Sequence, residues 1–153
     1  MQEPFSTKIK RWGFNLFPAY RRTGGRLTYL DPDWRRVDLK LPLNWKTKNY
    51  VGTIFGGSMF GAVDPIYMIL LIKRLGPEYR VWDKSAAIRF QKPGTGTMYA
   101  SCRISDEELD TIRQILETEP ATKRTYQIEL KNSDGEICAI VTKTIHIRRK
   151  INR

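Results

Sequence analysis

The stretch of this chain best suited to chemistry runs from Asn49 to Asp64, Asn-Tyr-Val-Gly-Thr-Ile-Phe-Gly-Gly-Ser-Met-Phe-Gly-Ala-Val-Asp. Gly56 and Gly57 lead into a helix, and glycines at that point leave the first backbone N–H groups uncovered by side chains. Free donors at a helix N-terminus, reinforced by the helix dipole, suit a carbonyl oxygen that gains negative charge. Asp64 adds a carboxylate, the group a general base requires, about 10 Å further along the helix axis at about 1.5 Å per residue. That is too far to serve the same carbonyl within one helix, so shared chemistry needs two copies of the helix side by side. The same spacing also describes a glycine-packed helix start followed by an Asp satisfied by a neighbour, and spacing alone leaves both readings open.

Other chemistries are scarce. The 153 residues hold two cysteines, Cys102 and Cys138, outside any CxxC pattern, and a single histidine, His146. This excludes a zinc ribbon, a thioredoxin motif and most histidine-based metal sites; neither a metal nor a cofactor is expected. Ser-His-Asp or Cys-His catalysis would have to run through His146, which has no partner motif and is assigned no role. Cys102 shares an alternating face with Met98, Ala100 and Ile104, the place of a core filler rather than a nucleophile.

Lys and Arg number 27 against 16 Asp and Glu, a formal charge of +11. The excess is uneven, with +7 in residues 1–48, +1 in 49–76, −2 in 77–120 and +5 in 121–153. Such a balance suits nucleic acid, anionic lipid or a phosphate-bearing ligand, or simply solubilises the surface. The aromatics fall at core positions and no binding motif accompanies them, so nucleic acid is not expected as a partner. Residues 50–72 approach the length of a membrane span, but Asp64-Pro65 sits near the middle. A central Asp costs about 2.5–3.5 kcal/mol on insertion, and Gly52, Gly56, Gly57 and Gly61 weaken the helix further. A helix buried in a core is expected there, and no membrane span. The basic start at Lys8, Lys10 and Arg11 leads only into the short WGFNLF, not into the apolar core of a secretory signal, so a cytoplasmic location is expected.

Around these groups the chain reads as one domain over 1–153, long enough to bury about two-thirds of its unfolded surface. Residues 1–20 place Phe5, Ile9, Trp12 and Leu16 on one face of an amphipathic helix, expected to close as a lid over the core. Alternation over 26–30 and 35–43, separated by Asp31-Pro32-Asp33, predicts a hairpin. An apolar helix over about 57–75 follows, with Pro65 expected to bend it at Gly61. Strands are predicted at 85–91, where Ala86, Ile88 and Phe90 share a face, and from Met98 to Ile104. Ser105 with Glu108 makes a capping box and Ile104 with Leu109 its staple, opening a helix that Pro120 closes after about Thr118. Tyr126, Ile128 and Leu130 alternate up to Asn132-Ser133-Asp134-Gly135, and 137–147 returns as the longest strand. A helix apolar on every side and six strands with an apolar face answer each other's need for burial.

The pattern Asn49, Gly52, Gly56, Gly57, Asp64 resembles the hotdog-fold acyl-CoA thioesterases of the phenylacetate-degradation type. Their signature runs Asn, two residues, Gly, two residues, His-Gly-Gly, then six residues to an Asp. The likeness continues through Ala87-Ile88-Arg89-Phe90-Gln91-Lys92-Pro93 with Gly96 and Ala100, and through Asp134-Gly135-Glu136-Ile137-Cys138-Ala139. It is nearest to a bacterial hotdog branch of unassigned function. The resemblance implies an α+β hotdog fold, a six-stranded mostly antiparallel sheet wrapped around one long apolar helix, assembled as a homodimer or homotetramer. It implies an acyl-CoA or acyl-carrier-protein thioester as substrate, with Gly57 polarising the carbonyl, Asp64 of the other subunit as base or nucleophile, and Asn49 holding the water or the carbonyl. Phe55 stands where the family has His, next to Gly56, and leaves that auxiliary polar role vacant. Arg89 and Lys92 are the candidates for the phosphates of coenzyme A, against a reading as solvated strand charges. The tail Arg148-Arg149-Lys150 with Arg153 reads as a basic end that could reach an acidic carrier protein. The rival to an enzyme is a non-catalytic acyl-thioester or lipid-binding module of the same fold.

Overall fold

In the computed structural model residues 3–150 are described; Met1, Gln2 and residues 151–153, Arg153 among them, lie outside the described residues. The elements are α1 (Phe5–Leu16), α2 (Pro18–Thr23), β1 (Arg26–Leu30), β2 (Arg36–Leu41), α3 (Gly56–Val63), α4 (Ile66–Leu75), β3 (Tyr79–Phe90), β4 (Met98–Arg103), α5 (Asp106–Thr118), β5 (Thr122–Lys131) and β6 (Ile137–Arg149). The strands form one six-stranded sheet in the order β1-β2-β4-β5-β6-β3, and every pairing is antiparallel. Both expected hairpins are present. Asp31 fastens the first turn by accepting the N–H groups of Asp33 and Arg35, and Gly135 takes the left-handed conformation (φ 81°) that the second requires.

One side of the sheet is filled by α3 and α4. Ala62, Val63, Ile66, Leu70 and Leu71 meet Leu39, Leu41, Met98, Leu130 and Val141 in a continuous core, all 2% exposed or less. Cys102 is buried there too, as expected of a core filler, and burial pushes its thiol up to about 12. The apolar helix expected as one over 57–75 is two helices. The break falls at Asp64–Pro65 rather than at Gly61, because the chain passes through the proline, which has no N–H to donate, and restarts at Ile66. Ser105 caps α5 by accepting the Glu108 N–H, while the Glu108 carboxylate, instead of turning back to complete the box, bonds Arg124 and Tyr126 of β5.

Two further expectations are corrected. β3 begins at Tyr79, well before Ser85, and Ala86 and Phe90 on it are exposed because β3 is the last strand of the sheet. The stripe Phe5, Ile9, Trp12, Leu16 does not cover the core: these side chains are 56–77% exposed. α1 packs with its other face. Asn15 both donates to the Leu27 carbonyl (3.0 Å) and accepts the Leu27 N–H (2.7 Å), Glu3 accepts the Leu30 N–H, and Arg11 bridges Glu3 and the Leu27 carbonyl. An edge strand presents unpaired backbone groups, and here polar side chains from α1 and just before it take them, which sets the side of the helix that turns inward.

Candidate functional site

α3 starts at Gly56. Its first bonds run from the N–H groups of Ser58 and Met59 to the Phe55 carbonyl, so the N–H groups of Gly56 and Gly57 have no hydrogen-bond partner among the described residues. A Cβ on Gly57 would lie 2.4 Å from Cε1 of Phe55, and one on Gly56 2.8 Å from Cζ of Phe90, so a side chain at either position would push an exposed ring aside. Two exposed aromatic rings thus lie on the bare start of the helix, one of them Phe55 from the position where the resembled family has His.

The helix start opens on a cleft of about 500 Å³ lined by Asn49, Thr53, Ile54, Gly56, Met59, Phe90 and the turn 91–94. The turn is held there by the Ile54 N–H, which donates to the Gly94 carbonyl at 2.9 Å. Of the residues singled out from the sequence, the structure brings Asn49, Gly56 and Lys92 to this cleft, with Gly57 and Phe55 beside it. The Asn49 amide stitches its own loop: Oδ1 accepts the N–H groups of Val51 and Thr53, and Nδ2 donates to Thr53 Oγ1. Lys92 is paired with Glu136 at 2.5 Å, a hydrogen bond and charge that raise its pKa. Arg89 is exposed on β3 and forms no ion pair among the described residues.

Asp64 lies apart from the cleft, at the break between α3 and α4. Its Oδ1 accepts a hydrogen bond from Lys143 Nζ at 2.5 Å, and its side chain is 41% exposed. Among the described residues Oδ2 has no hydrogen-bond partner and is not one of the buried unpaired atoms, which leaves it accessible. Lys143, by contrast, is 1% exposed, also reaches Asp83 Oδ2 at 3.0 Å, and lies over the Phe60 ring. Asp83 Oδ1 is buried without a partner, next to an irregularity in the β3–β6 register between Asp83 and Ser85. Asp64 and Asp83 thus flank one buried lysine, held where β3, β6 and the helix break meet.

Lys143 is the residue that sequence reading passed over, and the signal was present. Along β6 the inward positions run Ala139, Val141, Lys143, Ile145, Ile147. A lysine in that series has to find a carboxylate, because lysine is almost never fully buried unpaired. Among the described residues no His, Cys, Asp or Glu cluster could hold a metal ion, and no helix is long and apolar enough to cross a membrane.

This architecture is that of hotdog-fold proteins, with a curved antiparallel sheet closed over helices on one side. A Pseudomonas aeruginosa protein of unknown function, described as a probable thioesterase, matches it with a TM-score of 0.84 at 19% identity over 98% of this chain and 100% of that one. Thioesterase superfamily member 2 of Mus musculus matches with a TM-score of 0.65 at 16% identity over 94% and 98%. A Haemophilus influenzae thioesterase gives 0.69 at 11% identity over 99% and 96%. No curated protein matches the chain. By sequence the protein belongs to the family described as a domain of unknown function, DUF4442, whose model matches residues 7–147.

Proposed function

We propose that this protein is a single-domain, cytoplasmic acyl-thioester hydrolase, acting on an acyl-CoA or acyl-carrier-protein thioester, whose site is completed between two copies in a homodimer or homotetramer. The observation that carries this is the pair of N–H groups at Gly56 and Gly57 without a hydrogen-bond partner among the described residues, the first on a cleft whose lining includes Ile54, Met59 and Phe90 and the second beside it. In this reading Gly57 N–H of one copy receives the thioester carbonyl, and Phe55, Gly56 and Phe90 hold the acyl chain. Asp64 of the other copy takes a proton from water through Oδ2; the water oxygen adds to the carbonyl carbon, collapse of the oxyanion breaks the C–S bond, and the departing thiolate takes the proton back from Asp64 to leave as the thiol. Lys143 holds Oδ1 and so fixes the carboxylate, while Asn49 holds the loop beside the cleft. Arg89 is the free cation for the phosphates of coenzyme A, and Lys92 serves only if Glu136 releases it.

The test is thiol release from short, long and aromatic acyl-CoA esters. Asp64→Asn is expected to lower turnover by about a hundredfold or more while still binding the ester. An Asp64→Asn protein that hydrolyses like the parent overturns the assignment. Two observations favour a second reading, a binder without turnover: Phe55 in the place of a polar group, and Oδ1 of Asp64 already held by Lys143. Binding without thiol release, and a gain of turnover in Phe55→His, would identify the binder.

A further inference from the structure

A surface helix ordinarily buries its apolar stripe and shows water its polar side. α1 is docked the other way because its polar residues are used on β1, and Phe5, Ile9, Trp12 and Leu16 are left facing outward. Phe17, where the chain turns into α2, continues the stripe at 61% exposed. From Phe5 to Thr23 there are five cations, Lys8, Lys10, Arg11, Arg21 and Arg22, and no Asp or Glu. Arg11 is paired inward with Glu3, whereas Lys8, Lys10, Arg21 and Arg22 are exposed and unpaired among the described residues. Next to the end of α2, where Thr47 packs on Gly24, the same loop projects Trp45, 82% exposed, with Lys46 over its ring.

We propose that α1, with Phe17 and the cations of α2, lays this protein on an anionic lipid surface. Aromatic and aliphatic side chains in one outward row, with lysine and arginine beside them and no acid, are the composition of a helix lying in the membrane interface. Its charge matches the phosphate layer of an anionic leaflet, and Trp12 and Trp45 suit the headgroup depth. The outward row offers no carboxylate or amide for directional recognition by another protein. The sheet edge left open to a second copy is β3, at the far end from β1, on which α1 lies. The anchor is independent of the hydrolase reading and stands whether or not the protein turns over a thioester.

The test is co-sedimentation of the full chain with vesicles of equal parts phosphatidylcholine and phosphatidylglycerol, against phosphatidylcholine alone. Binding is expected to be about tenfold or more stronger on the anionic vesicles, to fall with added salt, and to shift tryptophan emission to the blue. Ile9→Ser with Trp12→Ser should lower it about tenfold without changing the circular-dichroism melt, and Lys8→Gln with Lys10→Gln should lower it severalfold and flatten the salt dependence. Failure to bind either vesicle overturns the proposal, as does binding that ignores the Ile9/Trp12 change. Light scattering supplies the other check: a smaller assembly for Ile9→Ser with Trp12→Ser would make the stripe a contact between copies instead. Binding of an acidic carrier protein through the stripe, with vesicles ignored, would equally overturn it.

Discussion

The two edges of the sheet are finished in opposite ways. β1 is five residues long and has α1 laid along it, with Asn15 taking both backbone groups of Leu27 and Glu3 taking the Leu30 N–H. β3 is twelve residues long, ends the sheet, and shows Ser85, Ala86 and Ala87 to solvent. A long strand with unpaired backbone groups and small side chains invites another strand, and the usual deterrents of short length or a covering helix are spent on the other edge. Both halves of the candidate site border the open one. Phe90 of β3 lies on Gly56, and Asp83 of β3 shares Lys143 with Asp64. One edge is therefore closed by the chain itself, and the other is where a second copy would both close the sheet and bring the two halves of the site together.

The comparison breaks most visibly at β3. Ala86→Lys with Ala87→Lys sets two charges on the open edge, and the expected outcome is a monomer by light scattering with hydrolysis lower by about a hundredfold or more. Both positions are exposed, so the melting temperature of the monomer should stay close to the parent's. A parent protein that is already monomeric at micromolar concentration would remove the contrast between the edges altogether.

Lys143→Met comes next. It leaves Asp64 and Asp83 without their cation, but both carboxylates are partly exposed, at 41% and 30%, so the loss should fall below that of a fully buried pair, at about 2 kcal/mol, read from urea unfolding. At the closed edge, Asn15→Ala strands the Leu27 N–H and leaves the carbonyl to Arg11; it should cost about 1–2 kcal/mol, with faster amide exchange along β1 and none of the loss of assembly expected at β3.

The smallest effect is a control away from either edge. Burial pushes the Glu108 carboxyl up, but hydrogen bonds from Arg124 and Tyr126 and the charge of Arg124 outweigh it and hold the group below the usual carboxylate range. A depressed acid contributes stability that is present above its unfolded value, about 4.3, and lost as pH falls through the folded one. Glu108→Gln should therefore cost less than about 1 kcal/mol near neutral pH, because the pair is partly solvated. Its difference from the parent should vanish as the solution is acidified below that range, measured as melting temperature against pH.

Much of this was legible in the residues. Alternation in 98–104 and 137–147, the turn at Asn132–Gly135 and the Ser105 cap each carry local information, and each is where it was expected. What local pattern cannot carry is which face of an element finds a partner. Phe5, Ile9, Trp12 and Leu16 have the spacing of a buried stripe, yet backbone groups of β1, distant in sequence, claim the opposite face of the helix. The start of β3 escaped for a related reason: Tyr79–Lys84 mixes apolar and charged residues because an edge strand does not need a clean inner face. In the site, the bare glycine amides were readable from Gly56-Gly57 alone, whereas the partner of Asp64 lies 79 positions away on β6. It could be found only by asking what a lysine inside an apolar series must pair with.

The docking of α1 also bears on how the chain can drift. Glu3, Arg11 and Asn15 hold the helix in place, so positions 5, 9, 12 and 16 are released from any duty to the fold. A descendant in which those four turned polar is expected to fold and melt like its ancestor, because all four side chains are exposed. The outward stripe can thus be rewritten without disturbing the contacts that dock the helix.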